Sequence, residues 1–145
     1  MSGAQLNREG REGREEPAKD VEHLATVVVD AGLKVHRALG PGLLESAYEA
    51  CLAHELTSRG LVVRKQVALP VVYENIILDA GYRLDLLVND RIIVEVKAVE
   101  ALTRLHEAQI ITYLRLSKLP LGFLMNFNVE LFRQGLKRLV LTSRP

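Results

Sequence analysis

Between Gly81 and Ala98 the chain reads as two short apolar strands meeting at Asn89-Asp90, and each strand carries an acid where an apolar residue is expected. Asp85 sits in Tyr82-Arg-Leu-Asp85-Leu-Leu-Val88, and Glu95 in Ile92-Ile-Val-Glu95-Val-Lys97. Side chains alternate faces along a strand, so Glu95 and Lys97 project to one side. Isolated charges are costly to bury, and residues of this kind are paired, metal-bound or catalytic. Two carboxylates can hold a divalent cation, and a lysine beside them can position or deprotonate a water. That is the equipment for metal-dependent hydrolysis of a phosphodiester.

The hairpin register decides whether this equipment assembles. A two-residue Asn89-Asp90 turn pairs Val88 with Arg91 and Asp85 with Val94, which sends Asp85 and Glu95 to opposite faces. Convergence of the two carboxylates requires a three-residue connection, Asn89-Asp90-Arg91, or a bulge. The sequence reading therefore expects one of these.

The rest of the chain supplies a scaffold. Residues 21–39 carry Leu24, Val27, Val28, Ala31, Val35, Ala38 and Leu39 at helical spacing, and Gly40-Pro41-Gly42 ends that run. A second helix is predicted over 43–59, with Leu44, Tyr48, Cys51, Leu52 and Leu56 as its apolar stripe and Gly60 as its C-terminal stop. Strands are predicted over 61–63, 67–73, 82–88, 92–98, 121–127 and 136–141, with Pro70 marking an edge or a break. A third helix is predicted over 103–117, with Leu105, Ala108, Ile111, Leu114 and Leu116 among its inward candidates (Gln109 and Ile110 being the other option at the middle turn). The order describes an α/β fold, a mixed sheet flanked by helices.

Residues 1–20 differ in kind: Arg8-Glu-Gly-Arg-Glu-Gly-Arg-Glu-Glu16 is charged and Gly-interrupted. It lacks the apolar surface to offset ordering, so a disordered tail is expected, followed by a single domain over 21–145. With no Trp and only 5% aromatic residues, an aromatic platform for stacking bases is not expected. The net charge of +1 gives no bulk attraction to nucleic acid, although a local basic patch remains compatible with it. Cys51 is the only cysteine, which excludes an intrachain disulfide and a thiolate zinc site. No apolar run reaches transmembrane length and no signal core opens the chain, so a soluble cytoplasmic protein is expected, with no membrane partner.

The ordered set of a helical acid, a strand acid, and a strand Glu-x-Lys followed by a helix resembles the PD-(D/E)xK nuclease superfamily, with its restriction-endonuclease-like core. More narrowly, the chain resembles the bacterial GxxExxY proteins. The naming motif stands as Gly42-Leu-Leu-Glu45-Ser-Ala-Tyr48, after Val35-His36-Arg-Ala-Leu-Gly-Pro41. Tyr82-Arg-Leu-Asp85, Ile93-Val-Glu95-Val-Lys97-Ala, Gln109-Ile-Ile-Thr-Tyr113-Leu, Asn126-Phe127 and Lys137-Arg138 follow in order. The resemblance spans residues 23–141. The superfamily name's Pro is absent before Asp85, and Leu84 stands where a small residue is frequent.

The resemblance implies roles. Asp85 and Glu95 would ligate Mg²⁺ or Mn²⁺ with the carbonyl of Val96, and Glu45 would reach the metal directly or through water. Lys97 would orient the attacking water or stabilise phosphate charge. Gln109 and Tyr113 would form a Q-x-x-x-Y element that positions the site and the DNA strand. His36, Lys137 and Arg138 are candidate nucleic-acid contacts. Hard oxygen ligands suit Mg²⁺ rather than zinc, and two acids beside Lys97 favour its charged form, so electrostatic positioning is preferred to proton abstraction.

Plainer accounts exist for most of these residues. Glu95 and Lys97 also read as a solvated strand face, Glu45 as a first-turn acid favoured by the helix dipole, and Gln109 with Tyr113 as an ordinary i,i+4 pair. His36 and Tyr48 read more simply as packed residues, Cys51 as a buried small hydrophobe, and Lys137 and Arg138 as edge-strand charges. The leading expectation is a metal-dependent deoxyribonuclease without strong sequence specificity, served by a homodimer or an accessory specificity protein. The rivals are a catalytically inactive module of the same fold that binds nucleic acid or a protein, and a hydrolase of small phosphate esters.

Overall fold

The computed structural model describes residues 19–141. Helix α1 spans Lys19–Leu39. Its Val21, Leu24, Ala25, Val28, Ala31 and Val35 are all buried, the stripe of an amphipathic helix. Helix α2, Glu45–Ser58, follows a turn in which Gly40 and Gly42 both take positive φ. It ends in a Schellman motif: the Gly60 N–H donates to Thr57 O at 2.9 Å and the Leu61 N–H to Leu56 O at 3.2 Å. Gly60 adopts the left-handed φ of 86° that this motif requires, so the glycine read from the sequence as the stop serves as one.

The strands are β1 (Val63–Ala68), β2 (Val71–Tyr73), β3 (Ile76–Leu78), β4 (Arg83–Val88), β5 (Ile92–Lys97), β6 (Leu121–Asn126) and β7 (Leu136–Val140). Helix α3, Arg104–Ser117, crosses from β5 to β6 and starts at a capping box on Thr103. The main sheet has five strands in the order β1-β4-β5-β6-β7. Only β5 and β6 are parallel; the other neighbours are antiparallel. Helices α1 and α2 cover one face, where Tyr48, Leu52, Leu56, Leu86, Val94, Val96 and Phe123 share a core. Helix α3 covers the other, where Ile110, Tyr113 and Leu114 pack on Leu84, Leu87, Ile93 and Leu124. The expected class, a mixed α/β sheet flanked by helices, is the observed one.

Several expectations need correction. Ile76–Leu78 forms a strand that the sequence reading left out; with β2 it makes a separate two-stranded sheet. Three residues are too few to show a period, and the hairpin turns through Glu74 in the left-handed region, a residue type that does not announce it. The run 67–73 is two strands, broken at Leu69-Pro70. Leu105 is exposed, because the inward stripe of α3 starts only at Ile110. Leu44 and Cys51 are exposed as well; the buried face of α2 is Tyr48, Leu52, Ala53 and Leu56. Of the tail read over 1–20, residues 1–18 lie outside the described residues, and Lys19 and Asp20 already belong to α1. Among the described residues no helix is long and apolar enough to cross a membrane.

Candidate active site

The connection between β4 and β5 is the three-residue loop Asn89-Asp90-Arg91. Val88 pairs with Ile92, Leu87 with Ile93 and Leu86 with Val94. Asn89 and Asp90 both take φ near 53°, and the Arg91 N–H donates to Val88 O at 2.9 Å. That is the geometry of a two-residue primed turn, and Arg91 is the extra residue that shifts the register by one. Asp85 therefore comes opposite Glu95, as convergence of the carboxylates demanded.

At that rung the ladder opens and side chains replace backbone acceptors. The Asp85 N–H donates to Glu95 Oε2 at 2.9 Å, and the Val96 N–H donates to Asp85 Oδ2 at 2.9 Å. Each carboxylate thus braces the other's strand. The neighbouring strand is disturbed at the same level. Gln66 stands opposite Asp85 in the β1–β4 register, between the pairs Lys65–Leu86 and Val67–Leu84, and takes a left-handed φ of 52°. Past it the strands turn over: Val63 packs with α1 and α2, Val67 with α3, and Leu86 and Leu84 divide the same way. The acids lie where this break opens the sheet.

Glu95 is only 4% exposed. Burial, reinforced by the charge of Asp85, pushes its carboxyl up to about 8, against the pull of the Asp85 N–H and the Lys97 ammonium. Lys97 shares a strand face with Glu95 and Ile93, the face toward α3. Its carbonyl accepts the Phe127 N–H at 2.9 Å. Beside it, buried Asn126 holds the exit of β5: its Oδ1 accepts the Val99 N–H at 3.0 Å and its Nδ2 donates to Val99 O at 2.9 Å. Gly135 packs so close that a Cβ would lie 2.0 Å from Asn126 O.

Helix α2 brings Glu49 to the cluster. The Gln66 Nε2 donates to Glu49 Oε2 at 2.9 Å and to Asp85 Oδ1 at 3.3 Å. Burial and the Asp85 charge raise the Glu49 carboxyl above its ordinary value, and Gln66 opposes that shift. Glu45 lies one turn earlier, exposed in the first turn of α2, and its charge is felt at Glu49. Tyr48 pins the entry to this helix by donating to Gly40 O at 2.5 Å and accepting the Leu43 N–H at 3.1 Å. Its ring stacks on Phe127 with centroids 4.7 Å apart.

From α3, Tyr113 faces the acids. Burial first, then the charges of Glu95 and Asp85, raise its phenol above the ordinary value. Gln109 sits one turn before it, and both line a groove of about 480 Å³ with Val71, Tyr82 and Leu105. The Tyr82 and Tyr113 rings lie 6.3 Å apart. The other candidates are elsewhere. His36 is buried on the α1 side against Phe127 and Phe132, its Nε2 2.7 Å from Val129 O. Lys137 and Arg138 lie on β7, two strands beyond β5, and pair with Glu107 and Glu22 respectively. Val96 is buried in the α1–α2 core, and its backbone N–H is engaged by Asp85.

Sequence reasoning passed over Glu49 and Gln66, and quoted Asn126 only within the motif Asn126-Phe127, without a role. Glu49 was within reach, since it repeats Glu45 at i+4 and so shares its helix face. Gln66 carried no such signal, because its place depends on the β1–β4 register. Among the described residues no three His, Cys, Asp or Glu side chains stand together as a ready-made metal cage. Magnesium rarely asks for one: it is held by one or two carboxylates together with water and substrate phosphate. The oxygen donors of Asp85 and Glu95, with the Glu95 carboxyl raised by burial and then by the Asp85 charge, fit such an ion.

The chain matches the family model of the PD-(D/E)XK nuclease superfamily over residues 22–139, and it belongs to that superfamily. Nucleases of this superfamily generally use divalent metal ions, and the fold implies binding of nucleic acid. No curated protein and no solved structure shows significant similarity to the chain.

Proposed function

We propose that this chain is a divalent-metal-dependent deoxyribonuclease that hydrolyses phosphodiester bonds without strong sequence specificity, and that within its superfamily it belongs with the bacterial GxxExxY proteins. The observation that carries the reading is the rung of Asp85 opposite Glu95 with Lys97 on the same strand face as Glu95. An acid pair with Glu95 buried, beside a lysine, suits a protein that must hold a cation against a phosphate.

In this reading Asp85 and Glu95, with the Val96 carbonyl, would hold Mg²⁺ or Mn²⁺, and Glu49 rather than Glu45 is the helical acid next to them. The ion supplies charge neutralisation at the phosphate and acidity to a bound water. The protein's own groups do the rest. To hold a cation, Glu95 would have to be ionised. The Lys97 ammonium orients the attacking water and opposes charge that develops on the non-bridging oxygens. Water oxygen bonds to phosphorus as the bond from phosphorus to the leaving oxygen breaks; the water releases a proton to solvent, and the leaving oxygen takes one from solvent. Tyr113 and Gln109 position the strand along the groove of α3, and Glu45 acts through water at the outer edge. The catalytic unit in this reading begins with α1, at Lys19 rather than at residue 21. Net charge of +1 implies modest, salt-sensitive affinity for DNA.

The test is cleavage of end-labelled single- and double-stranded DNA with Mg²⁺ or Mn²⁺, wild type beside Asp85→Ala and Lys97→Ala. Cleavage by wild type alone, stopped by EDTA, supports the reading. Folded wild type that cuts neither substrate with either ion defeats it and favours the binding-module alternative.

A further inference from the structure

The amide of Gln66 sits between two carboxylates. It donates one hydrogen to Glu49 Oε2 at 2.9 Å and the other to Asp85 Oδ1 at 3.3 Å. An ionised carboxylate only accepts hydrogen bonds, and a primary amide has two donors, so the stoichiometry is complete. The charge of Asp85 is felt at Glu49, and the Gln66 amide offsets it more than the nearby charge of Lys65 does. The side chain reaches this spot only because Gln66 takes a left-handed φ of 52° in the middle of β1, a conformation uncommon for a residue with a Cβ. Gln66 is exposed, so its side chain has open solvent to swing into.

We propose that Gln66 is an internal stand-in for the cation: a positioning residue whose amide bridges Glu49 and Asp85 in the metal-free protein and is displaced from them when a divalent ion binds. This role rests on the metal-site reading above and adds to it. The positive end of the amide dipole stands between the Asp85 carboxylate and the Glu49 carboxylate beside it, where a cation drawn to Asp85 would meet it. Gln66 therefore keeps the cluster assembled without metal and at the same time competes with it. Removing the amide exposes two unbridged negative charges, which attract a cation more strongly and repel each other more strongly.

The experiment compares metal-stripped full-length wild type with Gln66→Met, Gln66→Gly and Glu95→Gln. Mn²⁺ affinity is read by titration calorimetry, and thermal unfolding is followed with and without Mn²⁺. Gln66→Met keeps the length without donors, and Gln66→Gly also relieves the left-handed backbone, which guards against a folding failure. Both are expected to bind Mn²⁺ about three- to tenfold more tightly than wild type. Gln66→Met is also expected to melt lower than wild type without metal and to recover most of the difference with it. A merely structural glutamine would not tighten metal binding. Weaker binding in both Gln66 variants would make Gln66 a ligand or an organiser of the metal-bound state, and unchanged binding would make it a bystander; either overturns the proposal. If wild type binds no Mn²⁺, or Glu95→Gln binds as wild type does, it is the metal-site reading that fails, and this role goes with it.

Discussion

Asp85 and Glu95 brace each other's strand: the Asp85 N–H donates to the Glu95 carboxylate and the Val96 N–H to the Asp85 carboxylate, both at 2.9 Å. The acids are therefore structural without metal as well as being candidate ligands. Their spacing is set by backbone groups that cannot move without parting β4 from β5, which preorganises the pair for a cation.

Lys97 and Asp85 should separate kinetically. Lys97→Met is expected to leave Mn²⁺ affinity within about threefold of wild type while lowering the rate of cleavage by about 10²–10³, the usual loss for one electrostatic contact to the transition state. Asp85→Asn should weaken Mn²⁺ by about a hundredfold or more, since even an outer-shell partner is commonly worth 10- to 100-fold. Calorimetry and single-turnover cleavage measure the two quantities. Loss of metal binding in Lys97→Met would contradict the division of roles.

The metal-free protein should lose stability as pH rises. Burial and Asp85 hold the Glu95 carboxyl at about 8, against an ordinary 4.5. Between those values the folded chain keeps a proton that the unfolded chain has released. The contribution is full below about 4.5 and is lost as pH climbs through 8, on the order of a few kcal/mol in all. Glu49, also raised, acts in the same direction. Urea unfolding in EDTA from pH 5 to 9 should show the decline, and Glu95→Gln should flatten it. A wild-type stability that rises over that range would refute the assignment. Mn²⁺ affinity should climb over the same window, because the ion must displace the Glu95 proton.

Glu49 and Glu45 make a discriminating pair. Glu49→Gln is expected to weaken Mn²⁺ binding by about tenfold or more, as loss of a group at the metal does. Glu45→Gln, exposed one turn away, should change it less than about threefold, the scale of a screened surface charge. The reverse order would return the role to the acid of the naming motif.

Tyr48→Phe tests the support of helix α2. The variant keeps the stack on Phe127 and removes both bonds of the hydroxyl, to Gly40 O and from the Leu43 N–H. A loss of about 1–3 kcal/mol is expected from partly buried groups left unpaired. Equilibrium urea unfolding reads it. An unchanged midpoint would mean that water replaces the hydroxyl at the Gly40-Pro41-Gly42 turn.

How far the sequence reaches differs from element to element. The long amphipathic stripe of α1, the stop at Gly60, and the strands carrying Asp85 and Glu95 are legible because burial on one face imposes a period that local composition records. The need for an extra loop residue was legible too, since period-two alternation leaves the acids apart otherwise. What the periods could not carry is pairing between distant segments. Leu105 and Cys51 fit an apolar pattern and face water, because only the packed neighbour decides where a stripe begins. Glu49 enters the cluster, and Gln66 bridges it, through the β1–β4 register and the angle of α2 against the sheet. The sequence by itself determined the three helices, the strands that carry Asp85 and Glu95, and the loop length their convergence requires, but not the small sheet of Val71–Tyr73 and Ile76–Leu78. The tertiary structure alone decided which helical acid joins them, the burial that keeps a proton on Glu95, and the strained turn of β1 that places Gln66 between the carboxylates. Those depend on the free energy of contacts among residues far apart in the chain, which no local window contains.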